Sequence, residues 1–156
     1  MDWSSIGSIA SAAGIFLAVG QLRASAKSAR TAFEDALARE YREIARAMPM
    51  EAHLNDVLSP EDFERALPRF FQYVDLSNQQ VFLRKNGRIG RATWLEWAEG
   101  IEFNLSRKTF RHAWETLKAR DGETFNELRR LEAEGFAIDP RSWVSPWERL
   151  KAWWIH

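Results

Sequence analysis

Residues 3–22 read WSSIGSIASAAGIFLAVGQL, and residues 23–49 read RASAKSARTAFEDALAREYREIARAMP. How these two stretches join decides the fold. The first carries no charge. It holds seven strong apolar residues (Ile6, Ile9, Ile15, Phe16, Leu17, Val19, Leu22), four alanines and seven Ser or Gly. Beyond it, Leu22, Ala26, Ala29, Phe33, Leu37, Tyr41, Ile44 and Met48 recur at spacings of three and four, the apolar stripe of an amphipathic helix. No Gly or Pro interrupts residues 21–48, and Pro49 supplies the stop. One helix of about 45 residues, ~68 Å long, is therefore expected.

Twenty helical residues reach roughly 30 Å, the hydrocarbon thickness of a bilayer. Residues 3–22 are accordingly expected to be a transmembrane helix, and 23–156 a cytoplasmic helical domain. The Ser and Gly content makes the span marginal on an insertion scale. A secretory signal peptide fits less well, because Asp2 stands where a basic residue belongs and no cleavage site comes after the run. Arg23, Lys27 and Arg30 lie directly beyond it. Positive charge favours the cytoplasmic side, which places the N-terminus outside and the bulk of the chain inside a bacterial inner membrane. Trp3 then sits at the outer interface. Ser4, Ser8, Ser11, Gly14 and Ala18 mark a small-residue face, with Ala10, Gly14 and Ala18 spaced by four. In lipid, such faces let helices approach closely, so a homo-oligomer or a membrane-protein partner is expected. A lone anchor rich in Ala and Ser is the plainer account, and a narrow polar pore the least favoured.

The remaining chain is punctuated into helices. A short one is expected over 50–58, and Ser59-Pro60-Glu61-Asp62 then gives an N-cap, a first-turn proline and acidic first-turn residues. Pro68 is expected to split the helical stretch beyond this cap, leaving a helix from about Arg69 to Lys85 that stops at Asn86-Gly87. Thr93 to Glu96 reads as a capping box, opening a helix with Trp94, Trp97, Ile101 and Leu105 on one face. Ser106 is the expected cap of the next helix, which carries Phe110, Trp114 and Leu117. Phe125, Leu128 and Leu131 define another before Gly135, and Asp139-Pro140 reads as a turn. Ser145-Pro146-Trp147-Glu148 opens a last helix to about Trp154. No period-two run of β-branched residues occurs, so the fold class is all-α, a long N-terminal helix continuing into a compact multi-helix domain.

Composition excludes several functions. The 156 residues contain no cysteine, which removes disulfides, Cys-ligated zinc, iron–sulfur clusters and thiol nucleophiles. Twenty-two basic residues balance twenty-two acidic ones, an arrangement unlike the basic excess of a nucleic-acid binder. No nucleophile elbow, phosphate loop, HExxH, kinase set or deaminase pair is present. Glu40 and Glu43 share a helix, but no Glu-x-x-His motif supports a di-iron bundle. No catalytic residue, cofactor or metal is expected, and the protein is read as a non-enzyme.

Four groups of residues remain as candidates. His53 is isolated, and His112 with Glu115 is better read as a solvated pair than as two ligands lacking the rest of a zinc site. Asp75 and Asn78 interrupt an apolar stretch and, with Phe71 and Phe82 on the same face, are expected to border the core. They form either a polar pocket or a register-fixing network, the latter favoured. Arg84, Lys85, Arg88 and Arg91 surround two glycines. They could contact an anion or lipid headgroups, although a solvated helix end is the simpler reading. Trp143, Trp147, Trp153 and Trp154, four of eight tryptophans, could lie at a membrane interface or close over the core as a lid, the lid slightly favoured.

The segments FQYVDLSNQQVFLR (71–84), GRI (87–89) and TWLEWAEGI (93–101) resemble a widespread group of small bacterial proteins. Those proteins also begin with a hydrophobic helix that runs into a charged, Ala-rich one. The resemblance covers about residues 5–130 and implies architecture and bacterial origin, with no activity or site to carry over. The expected function is that of a membrane-anchored adaptor, effector or accessory subunit. The alternatives are a cytoplasm-facing sensor of a small ligand or anion using Asp75, Asn78 and the basic cluster, and a soluble homo-oligomer with its first helix buried between subunits. An unrecognised hydrolase stands last.

Overall fold

The computed structural model describes residues 3–120 and 122–148, with side chains from residue 20 onward. Among these residues every regular element is helical. They are α1 (Trp3–Arg46), α2 (Met50–His53), α3 (Pro60–Lys85), α4 (Arg91–Ser106), α5 (Lys108–Arg120), α6 (Asn126–Glu134) and a 3₁₀ turn at Pro140–Trp143. The chain divides into two units, 1–36 and 37–156. The first contains only helix α1. Its backbone is helical without a break, as the unpunctuated sequence requires. The expected membrane span falls mostly on residues 3–19, outside those with described side chains. Among the described residues no helix is long and apolar enough to cross a membrane.

The core of the second unit is organised by α3. Phe63, Ala66, Leu67, Phe70, Tyr73, Val74, Ser77, Val81 and Arg84 are buried at spacings of three and four, so one stripe of this helix faces inward. Packed on it are Trp94, Ala98, Ile101 and Leu105 of α4, Phe110, Ala113, Trp114 and Leu117 of α5, and Leu128 and Leu131 of α6. Leu37, Ile44 and Met48, from the C-terminal turns of α1 and just beyond, join the same core. The Phe70 ring lies 6.2 Å from that of Phe63 and meets Phe110 edge-on at 5.1 Å. Phe110 in turn meets Tyr73 edge-on at the same distance. Edge-to-face pairs put the positive rim of one ring on the negative face of another, which adds attraction beyond area burial.

Several local expectations are corrected. Pro68 does not split α3: it lies inside the helix. It removes one backbone hydrogen bond and crowds the preceding turn, but Phe63, Ala66, Leu67 and Phe70 continue one buried stripe across it and hold both halves in register. The helix α2 stops at His53 rather than at residue 58. Thr93 does not cap α4, which begins two residues earlier behind an extended Gly90. Ser106 does not cap α5. It closes α4, its hydroxyl donating to the Phe103 carbonyl at 2.7 Å. The N-terminus of α5 is met instead by Asn55, in the left-handed region at φ 64°. Its Oδ1 accepts from the Lys108 N–H at 2.8 Å. Asn tolerates that backbone conformation better than most residues do.

Other local expectations agree with the structure. Ser59 caps α3 by accepting from the Asp62 N–H at 3.1 Å. At the other end Gly87 takes φ +72°, where the Gly87 and Arg88 N–H groups donate to the carbonyls of Arg84 and Leu83, both at 2.9 Å. That double closure is the glycine-terminated helix end. Ser145 and Glu148 exchange hydrogen bonds between side chain and backbone at 2.8 and 3.2 Å, the reciprocal box read from the sequence.

Candidate functional site

Asp75 and Asn78 of α3 do not border the core side by side. Asp75 is exposed and Asn78 half-buried, because the face they share with Phe71 and Phe82 is the outward one. Asn78 serves the structure instead, since its Oδ1 accepts from the Leu128 N–H at 3.0 Å. It thereby satisfies one of the free donors at the start of α6.

The basic cluster is likewise divided. The Arg84 side chain is only 8% exposed. Its Nε and Nη2 reach the two oxygens of Asp139 at 2.8 and 2.5 Å, while Nη1 donates to the Ile89 carbonyl at 2.8 Å. This two-pronged pair ties the end of α3 to the 3₁₀ turn, and Asp139 also accepts from the Arg141 N–H at 3.0 Å. Lys85 is bound to Glu127 at 2.6 Å. Two of the four cations are thus committed to carboxylates, which removes the four-residue anion site. Arg88 and Arg91 are exposed.

The two described C-terminal tryptophans differ in their surroundings. Trp143 packs against the core, its indole Nε1 donates to Glu134 at 2.7 Å, and the Arg130 guanidinium stands 4.4 Å over its ring. The hydrogen bond from Arg130, with that of Trp143, lowers the Glu134 carboxyl below its ordinary value. Trp147 is exposed. Trp153 and Trp154 lie outside the described residues, as do the side chains of Ser4, Ser8, Ser11, Gly14 and Ala18. The two described histidines have structural partners: His53 Nε2 pairs with the Ala45 carbonyl at 2.9 Å, and the His112 ring packs 4.4 Å from that of Phe63. Glu115 is drawn to Lys118 at 2.8 Å. No group of three or more metal-ligating side chains occurs among the described residues.

The feature not anticipated from sequence is a cleft of about 250 Å³ within the second unit, where α1, α3 and α4 meet. Tyr41 of α1, Tyr73 and Gln80 of α3, and Trp97 and Ile101 of α4 form its walls, and the exposed charges Arg42 and Glu96 also line it. The two tyrosine rings stand 6.3 Å apart. Behind them Asn104 Nδ2 donates to the Tyr73 hydroxyl at 3.2 Å and to that of Tyr41 at 3.4 Å. Burial pushes the Tyr73 phenol above its usual range, so it stays neutral. Gln80 is only 5% exposed. Among the described residues its side chain has no hydrogen-bond partner. Trp97 and Ile101 were legible as one apolar face and Tyr41 as part of another. Only the meeting of three helices makes them a site.

Comparison with protein-family models, curated proteins and solved structures gives no match.

Proposed function

We propose that the protein is a non-enzymatic, membrane-anchored helical protein that works by association, as an adaptor or accessory subunit. The observation that supports this reading is the unbroken helix from Trp3 to Arg46, whose positions 3–22 carry no charge. A single helix buries nothing by itself, and helices in proteins owe most of their stability to packing of an apolar face. The occupant proposed for this face is the bilayer, with a second copy packed along the Ser4, Ser8, Ser11, Gly14 and Ala18 side. Arg23, Lys27 and Arg30 set the orientation, with the unit 37–156 on the cytoplasmic side.

Self-association is tested on the full chain in detergent micelles, by light scattering across a dilution series. Replacing Gly14 and Ala18 together by leucine keeps the run apolar but prevents close backbone approach. A dissociation constant raised at least tenfold, about 1.4 kcal/mol, is the expected result. Unchanged self-association removes this face from the interface. A wild-type chain that is monomeric at every concentration removes self-association altogether.

A further inference from the structure

We propose that the cleft between α1, α3 and α4 is a binding site for a small, uncharged, planar molecule with an amide edge, an aromatic carboxamide or lactam. The carrying observation is Gln80. Its primary amide offers two donors and an acceptor, and no protein group among the described residues meets them. The amide is not sealed into the core. Among the described residues, the Trp114 indole nitrogen is the one side-chain polar atom that is both fully occluded and unpartnered. The Gln80 amide therefore keeps accessible surface, and Gln80 is one of the residues that line the cleft.

The rest of the cleft defines the ligand. Its 250 Å³ holds about eight waters at ~30 Å³ each, the bulk of one substituted ring. Trp97, Tyr41 and Ile101 supply apolar and aromatic walls for a flat body. A ligand amide pairs with Gln80 reciprocally, N–H to Oε1 and carbonyl oxygen to Nε2. Asn104 is the donor in its contacts with both tyrosines, so each hydroxyl keeps its own proton to give to an acceptor. A carboxylate in the same place would face Gln80 Oε1 with a second acceptor and would bury a charge, which is costly. Arg42 and Glu96 carry opposite charges, so the lining has no net charge to offset that cost.

The test uses the full chain, with benzamide as probe, by thermal shift and titration calorimetry. Benzoate keeps the shape and replaces the amide by a charge. Toluene keeps the ring and removes the edge. Benzamide is expected to raise Tm saturably, and both analogues to bind at least tenfold more weakly. Gln80→Leu should leave the free protein as stable or a few degrees more so, because it deletes an unpaired amide, while weakening benzamide binding at least tenfold. Gly100→Leu places a side chain where a Cβ meets open space. It should block binding with the fold intact. The proposal is overturned if benzamide gives no saturable shift, or if toluene matches it. It also fails if Gln80→Leu keeps wild-type affinity, or if that variant lowers Tm by several degrees, which would mark the amide as a structural hydrogen-bonding group.

Discussion

Replacing Phe70 by alanine will destabilise the helical domain by about 3–5 kcal/mol, the usual cost of truncating a buried aromatic. The same change one residue along, at Phe71, will cost well under half as much. Phe70 is 0% exposed and Phe71 is 46% exposed. Removing the Phe70 ring leaves a void between Phe63 and Phe110, lined by aromatic carbons that lose their contacts. Phe71 forfeits one edge-on contact with Phe125, whose ring lies 5.4 Å away. Urea unfolding of the two variants reads the rotational register of α3 directly. Equal losses would mean that this helix faces the core differently.

Asp139→Ala will cost about 3 kcal/mol at neutral pH, because it strands the buried Arg84 guanidinium without its carboxylate. The value sits at the low end of the range for broken buried pairs, since the Asp139 side chain is 36% exposed and water can partly replace it. Arg84→Met should cost less, as it leaves the more exposed partner behind. Acid makes the same point. Hydrogen bonds from Arg84 hold the Asp139 carboxyl below its ordinary value of 3.8, against the opposing effect of partial burial. A carboxylate with a lower pKa folded than unfolded adds stability that is fully present above the unfolded value. That stability drains away as pH falls through the folded one. The gap between wild type and Asp139→Ala should therefore narrow as pH drops below about 3.8, measured by urea titration at each pH. A gap independent of pH would mean that the pair contributes no charge-dependent stability.

Local features of this fold are legible in the sequence, and long-range ones are not. Helix α1 was legible almost to the residue, because forty-odd positions with no proline and few glycines leave the backbone little other choice. The caps at Ser59 and Ser145 and the stop at Gly87 were legible because their partners lie within a few residues. The inward face of α3 is not legible from periodicity. Ser77 and Gln80 are polar yet buried, while Phe71 and Phe82 are apolar yet exposed, so two competing stripes run along one helix. Hydrophobic periodicity alone could not choose between them. The caps supplied by Asn55 and Asn78 act across 53 and 50 residues, and Arg84 reaches Asp139 across 55. Nothing local announces such pairings. For the same reason the basic cluster looked available for an anion when two of its members were already committed. The cleft was invisible on the same grounds: its walls come from three helices, each of which reads on its own as ordinary core.

Anchoring by the first helix is tested most directly by extracting membranes that contain the full chain with alkaline carbonate. That treatment strips peripheral proteins and leaves embedded helices in place. The proposed anchor predicts that the protein stays in the membrane pellet. Complete release into the supernatant would contradict it and leave the uncharged run of α1 to be buried between copies of the chain.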